Sequence, residues 1–443
     1  MPPKKKTAKK TEEGDAVKKK IKTPQLLRGF RDIMPEEDVY WARVEEVVSR
    51  IARDYSFDRI RLPIVEQAAL FDRTLGKGVD ILEKEMYRFV DESNTKIALR
   101  PEATASVARA YIEHGMVERP QPVKIWYIGQ MFRHDRPQAG RYRQFWQFGL
   151  EAVGSSEPII DAQIIIMCHQ ILKELGIEAV FQINSIGSPD VRREYEMELV
   201  AYFKQFRKQL SDTDKKRLTK NPLRLLDSKE EGMEELKVDA PQIVDWLDDD
   251  SKEHFMKVIE YLDEMEVPYE LNPFLVRGLD YYNKTVFEII PTKYEGKSPN
   301  ALGGGGRYDG LIELLGGREG TPAMGMAMGV ERLVLAMKHQ DVDLPNRRDV
   351  KVFFCQLGDA ARRTGLRIFN EFREAGIPIA EAFGKGSLKA QLELADKQNV
   401  RVALILGQKE VLDGTIIIRD MESGAQEIVD SKKVVKMVEK TLK

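Results

Sequence analysis

The sequence predicts an α+β fold spread over more than one domain. Three observations carry that reading. Val123 to Phe132 and Gln144 to Val153 are two strand-like runs around a basic loop, the pattern of an antiparallel hairpin. Residues about 190–265 are highly charged, with apolar positions at helical spacing. Beyond residue 350, strand-like and helix-like runs alternate, as in a small α/β domain. At 443 residues the chain is also too long for one ordinary core. Roughly 100–200 residues per domain gives two to four domains.

Residues 1–22 hold nine lysines against three acids and read as a disordered basic leader. Structure should begin near Gly29. Pro35 followed by Glu36, Glu37 and Asp38 is a helix start with acids in its first turn. Tyr40, Trp41, Val44, Val47, Val48 and Ile51 then recur at helical spacing. Arg59 to Val65 reads as a strand interrupted by Pro63, which favours an edge position. The loop Arg133 to Arg143 is longer than the two to five residues of an ordinary hairpin turn, so a function is expected of it. Ser188-Pro189 opens a helix whose stripe is Val191, Tyr195, Leu199, Phe203, Phe206 and Leu210. Strand signals return at Val286 to Ile290, a glycine-rich turn is expected at 303–306, and Met324 to Met328 leads into a helix from Gly329. Residues 341–349, around Pro345 to Asp349, read as a linker ahead of the last domain, 350–443.

Composition narrows the class. Apolar residues make up 42% and charged residues 32%, as in ordinary globular chains. No apolar run approaches the ~18 residues that span a bilayer, and no apolar segment follows the basic N-terminus as in a secretory signal. Two cysteines, Cys168 and Cys355, exclude a disulfide scaffold and suit a reducing compartment. Five histidines without His-x3-His spacing argue against a protein-built metal site. The net charge of −2 is uneven: residues 1–22 carry a surplus of six positive charges, residues 350–443 a surplus of three, and the middle the acidic balance. Basic ends on an acidic body suit contact with a polyanion, although a solubilising leader explains the first 22 residues equally well.

Several stretches can carry chemistry. On the strand Phe145 to Glu151 side chains alternate between faces. Trp146, Phe148 and Leu150 form a core face. Phe145, Gln147, Gly149 and Glu151 offer an aromatic plane, an amide, a gap and a carboxylate, either a floor for a polar, partly aromatic ligand or simply a solvated face. Arg133 enters the loop tip, where a guanidinium clamps phosphate or sits in solvent. Glu102 and Thr104, just before a helix, fit ammonium recognition or first-turn capping. Arg277 to Tyr282 packs a cation, an acid and two phenols around Gly278. Gly303 to Gly310 matches neither a Walker loop nor a dinucleotide fingerprint, since Tyr308 stands where the third glycine belongs. Gly329-Val330-Glu331-Arg332 puts an arginine at a strand-to-helix junction, where it can stack on a base or pair with the helix start.

The order of these stretches resembles a known family. A helix plus a proline strand, then Phe132-Arg133 through Glu151, then Gly329 to Arg332, resembles the three signature motifs of class II aminoacyl-tRNA synthetases. Arg277 to Glu288 and Gly304 to Gly310 resemble the two motifs peculiar to histidyl-tRNA synthetases. The resemblance runs from about Thr23 to about residue 430. Ala103 departs from it where the family often has glycine, and the lysine-rich leader is no standard part. It implies a class II synthetase core, an antiparallel sheet flanked by helices, over residues 23–340, with a helical insertion at about 190–265 and a C-terminal α/β anticodon-binding domain.

The implied function is that of a cytoplasmic, homodimeric histidine–tRNA ligase acting with ATP and Mg2+ and no protein-bound metal. Its partners would be histidine tRNA, L-histidine and ATP, with no membrane. By resemblance Arg133 and Arg277 are catalytic, and Arg133, Phe145 and Arg332 bind ATP. Glu102, Thr104 and Gln147 read the histidine ammonium, and Glu151, Tyr281 and Tyr282, with Arg277, the rest of it. Arg136, Gln138, Arg141 and Arg143 would face the tRNA acceptor end. A non-catalytic paralogue should lack the last domain and erode this set, and a sister synthetase for another amino acid should lack the Arg277 to Tyr282 motif.

Overall fold

The structure is a computed structural model and describes residues 23–74, 85–138, 140–228, 230–293, 301–344, 350–384 and 386–442. The expected leader, 1–22, and the 345–349 part of the expected linker lie outside the described residues. The chain divides into two compact units, one up to Asp343 and one from Leu344.

The first unit is built on an eight-stranded sheet. Its strands are β1 (Asp58–Arg59), β5 (Val123–Phe132), β6 (Gln144–Val153), β7 (Ala179–Ser185), β8 (Tyr269–Leu271), β9 (Asn283–Pro291), β10 (Gly303–Arg307) and β11 (Ala323–Gly329). Their order across the sheet is β1-β5-β6-β11-β10-β9-β7-β8. The six central strands, β5 to β7 in that order, pair antiparallel throughout. A second, three-stranded sheet holds β2 (Val65–Gln67), β3 (Arg88–Val90) and β4 (Lys96–Leu99).

The single strand expected at 59–65 is thus two strands in two sheets. Pro63 has no N–H to give a ladder, so pairing stops there. The exposed carbonyls of Leu62 and Pro63 instead take Nη1 of Arg100, at 2.9 and 3.1 Å.

The hairpin of β5 and β6 keeps one register from Val123↔Val153 to Phe132↔Gln144. One face of β6 buries Phe148 and Leu150, while Trp146 meets Trp41 edge-on at 6.0 Å. That tryptophan belongs to helix α1 (Pro35–Asp54), which starts on Pro35, carries Glu36, Glu37 and Asp38 in its first turn and buries Val44, Val47, Val48 and Ile51. Burial of each such side chain contributes about 1.5–3 kcal/mol.

Helices α2 (Ala68–Thr74), α3 (Thr104–Glu113) and α4 (Pro158–Glu174) follow, and α3 begins directly beside the hairpin loop. Between β7 and β8 lie α5 (Pro189–Gln205), α6 (Asp212–Lys220), a 3-10 turn at Pro222–Leu225, α7 (Met233–Val238) and α8 (Asp249–Glu264). Ser188 caps α5 by accepting the Val191 N–H, as its sequence signature predicts. The short α9 (Leu311–Leu314) and then α10 (Val330–His339) complete the unit.

The glycine-rich segment is not a turn. Gly303 to Gly306 form the interior of β10, paired on both sides. Glycine hides the period-two pattern that marks a strand, and here it leaves room for side chains arriving from neighbouring elements.

Behind the sheet lies a buried ion cluster. Arg307, at the end of β10, pairs with Asp161 of α4, and Asp161 also meets Nε2 of His254 of α8 at 2.8 Å. Arg307 and Asp161 are wholly buried. Burial alone would raise the Asp161 carboxyl, but the His254 hydrogen bond and the Arg307 guanidinium outweigh it and hold it below its ordinary range.

The second unit carries a five-stranded sheet: β12 (Val352–Gln356), β13 (Ile379–Glu381), β14 (Val402–Leu406), β15 (Thr415–Asp420) and β16 (Gln426–Asp430), in the order β13-β12-β14-β15-β16. The first three are parallel and the last two antiparallel. Helices α11 (Asp359–Glu374), α12 (Leu388–Lys397), α13 (Gln408–Asp413) and α14 (Val434–Leu442) accompany it. Phe354, Ile368, Phe372, Leu404 and Val438 form one core, and Phe353, Cys355, Ala395 and Ile405 another.

Arg307→Met should leave the buried Asp161 carboxylate with His254 in place of the guanidinium and cost up to about 3–5 kcal/mol in the denaturant transition of the first unit. A loss below about 1 kcal/mol, the scale of an exposed pair, would show that the cluster is not a structural anchor.

Candidate active site

One face of the large sheet forms the floor of a cavity of about 340 Å³, within the roughly 300–1,000 Å³ usual for small-molecule sites. Of the residues singled out in the sequence, Glu102, Thr104, Arg133, Arg141, Phe145, Gln147, Arg277, Tyr281, Tyr282 and Arg332 line it. They come from the start of α3, the hairpin, the loop ahead of β9 and the start of α10.

Glu151 does not line the cavity. It lies behind, fully buried, and accepts hydroxyl hydrogen bonds from Thr104 at 2.7 Å and Tyr308 at 2.6 Å. The Tyr127 hydroxyl stands 3.5 Å away. Burial pushes the Glu151 carboxyl up to about 8, against those hydrogen bonds. The face that a solvated strand would expose is therefore covered. Nor is Gly149 an open gap, because the Tyr127 ring fills it and a Cβ there would overlap that ring.

Glu102 makes the first-turn capping contact foreseen for it. Its carboxylate accepts the Ala105 N–H at 3.1 Å and also borders the cavity. Its pKa is raised by burial.

Arginines also border the cavity. Arg133 donates Nε to the Pro101 carbonyl at 2.9 Å and lies over the Phe145 ring at 5.3 Å from its centroid. Arg332 donates to the carbonyls of Gly140 and Ala301. Burial first, then Arg141 and Arg133, pull Arg332 down to about 10. Three mutually repelling guanidinium groups around one cavity favour a bound anion. Arg277 pairs with Glu288 at 2.5 Å and lies over the Tyr282 ring at 5.8 Å from its centroid. Burial lowers its pKa, but Glu288 and Tyr282 more than compensate.

Two buried polar atoms on this wall have no partner among the described residues: Oε1 of Gln147 and Nε of Arg277. Buried polar groups are normally satisfied, so both can take a polar partner from the cavity. Glu331 does not face that ligand alone; its two oxygens accept the Trp146 N–H at 3.0 Å each, locking α10 to β6. Burial pushes its carboxyl up to about 7.

The loop residues separate. Arg136 and Gln138 are exposed and lie outside this cavity. Gln138 and Arg141 border a neighbouring cleft with Arg217 of α6. Arg143 donates to the carbonyls of Asp135 and Arg28, both at 3.4 Å. Sequence reasoning missed Tyr127, Tyr308 and Glu288 as site residues. The signal for the first was a phenol in an apolar strand directly opposite a glycine, Tyr127↔Gly149.

Among the described residues, no group of three or more His, Cys, Asp or Glu could hold a metal ion, and no helix is long and apolar enough to cross a membrane.

A cavity of this kind, on an antiparallel sheet with helices behind and arginines from hairpin and helix meeting over it, is the catalytic core of a class II aminoacyl-tRNA synthetase. Residues 29–333 match the model of the histidyl-tRNA synthetase family, and residues 351–441 that of an anticodon-binding domain. A histidyl-tRNA synthetase from S. aureus is 34% identical over 94% of this chain and 99% of its own, with a TM-score of 0.79. A histidyl-tRNA synthetase from Nostoc sp. PCC 7120 shares the fold at 22% identity, covering 96% of this chain and all of its own, with a TM-score of 0.65. A Bacillus halodurans protein described as an ATP phosphoribosyltransferase regulatory subunit/histidyl-tRNA synthetase shares it at 19% identity, over 87% of this chain and all of its own, with a TM-score of 0.63.

The chain belongs to the histidyl-tRNA synthetase family. Its reaction is that of a histidine–tRNA ligase: ATP activates histidine as the adenylate, and the histidyl group passes to the 3′ end of histidine tRNA, with release of AMP and diphosphate. Enzymes of this class use ATP with Mg2+.

Because the folded state holds Glu151 protonated where the unfolded chain, near pKa ~4.3, would release the proton, its contribution to stability is complete at low pH and is lost as pH rises towards about 8. Thermal midpoints of the wild type should therefore fall relative to those of Glu151→Gln between pH 6 and pH 9. Parallel curves would show that the carboxyl is already ionised at pH 6.

Proposed function

We propose that the two ends of this cavity divide the reaction between them. The histidine end is Glu102, Thr104, Gln147, Glu151, Tyr281 and Tyr282, and the nucleotide end is Arg133, Phe145 and Arg332, with Arg277 between. The observation that carries this reading is the pair of unpartnered buried atoms, Oε1 of Gln147 and Nε of Arg277. One accepts and the other donates, which matches an ammonium and a carboxylate or phosphate oxygen.

In the first step the histidine carboxylate attacks the α-phosphorus of ATP, and diphosphate leaves. Arg133 and Arg277 offset the charge that gathers on the phosphoryl oxygens, so catalysis rests on positioning and electrostatics. Arg332 and Phe145 hold the adenine between a guanidinium plane and a ring face. The Phe145 ring carries the Arg133 guanidinium in this structure, so the base would displace that contact. In the second step the terminal ribose hydroxyl of the tRNA attacks the carbonyl, and AMP leaves.

Glu151, behind the cavity wall and hydrogen-bonded to the Thr104 and Tyr308 hydroxyls, would act on the imidazole through Thr104, which lines the cavity. A buried polar reader rejects ligands that leave it unpaired by perhaps 10⁴–10⁵-fold. Magnesium would enter with the triphosphate rather than through a protein cage.

Arg136, Gln138 and Arg141 would meet the acceptor end of the tRNA, with Arg143 shaping the loop from which they project. The insertion at about 190–265 would steady the acceptor arm, and the domain from residue 350 would read unstacked anticodon bases. We place the enzyme in the cytoplasm as a homodimer. Two buried free cysteines support a reducing compartment, and the exposed Ile64, Val65, Phe89 and Val90 on or beside the small sheet support a subunit interface.

Histidine should drive exchange of labelled diphosphate into ATP, and Arg277→Ala should lower that exchange by at least about 10²–10³-fold while histidine still binds weakly. Exchange driven by another amino acid in place of histidine would sink the specificity reading. Near-normal exchange in the variant would remove Arg277 from its catalytic place.

A further inference from the structure

The loop Arg277 to Tyr282 carries three of the side chains placed in the site, yet it is neither helix nor strand. Its carbonyls must therefore find donors outside any ladder. Four hydrogen bonds reach it from the helical insertion. Arg192 of α5 donates Nη1 to the carbonyls of Asp280 at 2.9 Å and Tyr282 at 3.1 Å. Arg224, on the 3-10 turn, donates Nη2 to the Gly278 carbonyl at 2.6 Å. Asn221, at the end of α6, donates Nδ2 to Oδ1 of Asp280 at 2.8 Å.

The two arginines are three-quarters buried, which excludes most of the water that would compete for these bonds. Below them Leu275 and Tyr282 share one hydrophobic cluster with Tyr195, Leu223 and Leu225 of the insertion. Arg224 also borders the cavity itself. The insertion therefore grips both the backbone and the apolar underside of the loop.

We propose that Arg192, Asn221 and Arg224 are positioning residues, through which the helical insertion holds Arg277, Tyr281 and Tyr282 in register with the cavity. The inference rests on the placement of Arg277 and Tyr282 in the histidine-activating site. Arg277 also meets Glu288, the Tyr282 ring and the bay at Gly304, but the backbone that carries it is held by the insertion, and a misplacement of about 1 Å costs up to about 10²-fold in rate. The insertion, which interrupts the catalytic unit in sequence, is thereby made part of the catalytic apparatus.

The test is histidine-dependent diphosphate exchange in Arg224→Ala, Arg224→Lys, Asn221→Asp and Arg193→Ala. Asn221→Asp keeps the side chain's size but sets a carboxylate against Asp280. Arg193 is an exposed neighbour on α5 that pairs with Asp190, away from the loop, and serves as the control. Arg224→Ala and Asn221→Asp should lose about 10- to 100-fold in kcat/KM for histidine, with KM for ATP within about twofold and thermal midpoints near that of the wild type. Arg224→Lys should recover part of the loss, and Arg193→Ala should match the wild type. Wild-type histidine kinetics in both Arg224→Ala and Asn221→Asp would overturn the proposal. A fall in kcat that follows the loss of folded protein, with KM for histidine unchanged, would overturn it as well. An absence of exchange in the wild-type protein would instead remove the functional reading beneath it.

Discussion

Everything in this site depends on places where the sheet has no side chain of its own. A strand normally covers its face with a residue at every second position. Here glycines open bays, and bulky polar groups from other elements lie in them. Gly304 lets the Arg277 guanidinium rest against β10, 2.7 Å from where a Cβ would stand, and Gly306 admits the Tyr282 ring at 2.9 Å. Gly149 admits the Tyr127 ring, and at Gly325 a Cβ would overlap the Glu151 carboxylate. A floor of ordinary strand residues would displace Arg277, Tyr282 and Glu151 together.

The bays also separate the electrostatics. Hydroxyls from Thr104 and Tyr308 surround Glu151 at one end, and burial keeps its carboxyl protonated well above the usual range. Arg133, Arg141 and Arg332 crowd the other end without full compensation, so Arg332 is pulled down to about 10. A cavity bordered by this excess of guanidinium charge and by neutral hydroxyl and amide groups suits a triphosphate and an aromatic amino acid. The fixed dipoles cost no reorganisation when the ligands arrive.

Much of this was legible in the chain. The hairpin, the start of α1, the Ser188 cap and the alternation past residue 350 follow from patterns that act over a few residues. The alternation along Phe145 to Glu151 puts Phe145 and Gln147 on the cavity, whereas Gly149 and Glu151 of the same face are covered. What stayed hidden is non-local. Glycines carry no periodicity, so β10 read as a turn although it is an interior strand. Tyr308 reaches Glu151 across 157 positions of sequence, and Arg224 reaches Gly278 across 54. Nothing local shows that Arg143 donates to the carbonyls of Asp135 and Arg28. Local pattern chooses elements, whereas the partner of a long polar side chain is chosen by the fold.

The claim that glycine bays hold the reader in place is tested most directly at Gly325. Titration calorimetry of histidine into Gly325→Ala, with ATP titrated separately, isolates the bay beneath Glu151. Displacement of the carboxylate should weaken histidine by about 10- to 100-fold, the cost of leaving a buried polar partner unpaired, while ATP affinity stays near that of the wild type. Wild-type histidine affinity in that variant would contradict the account.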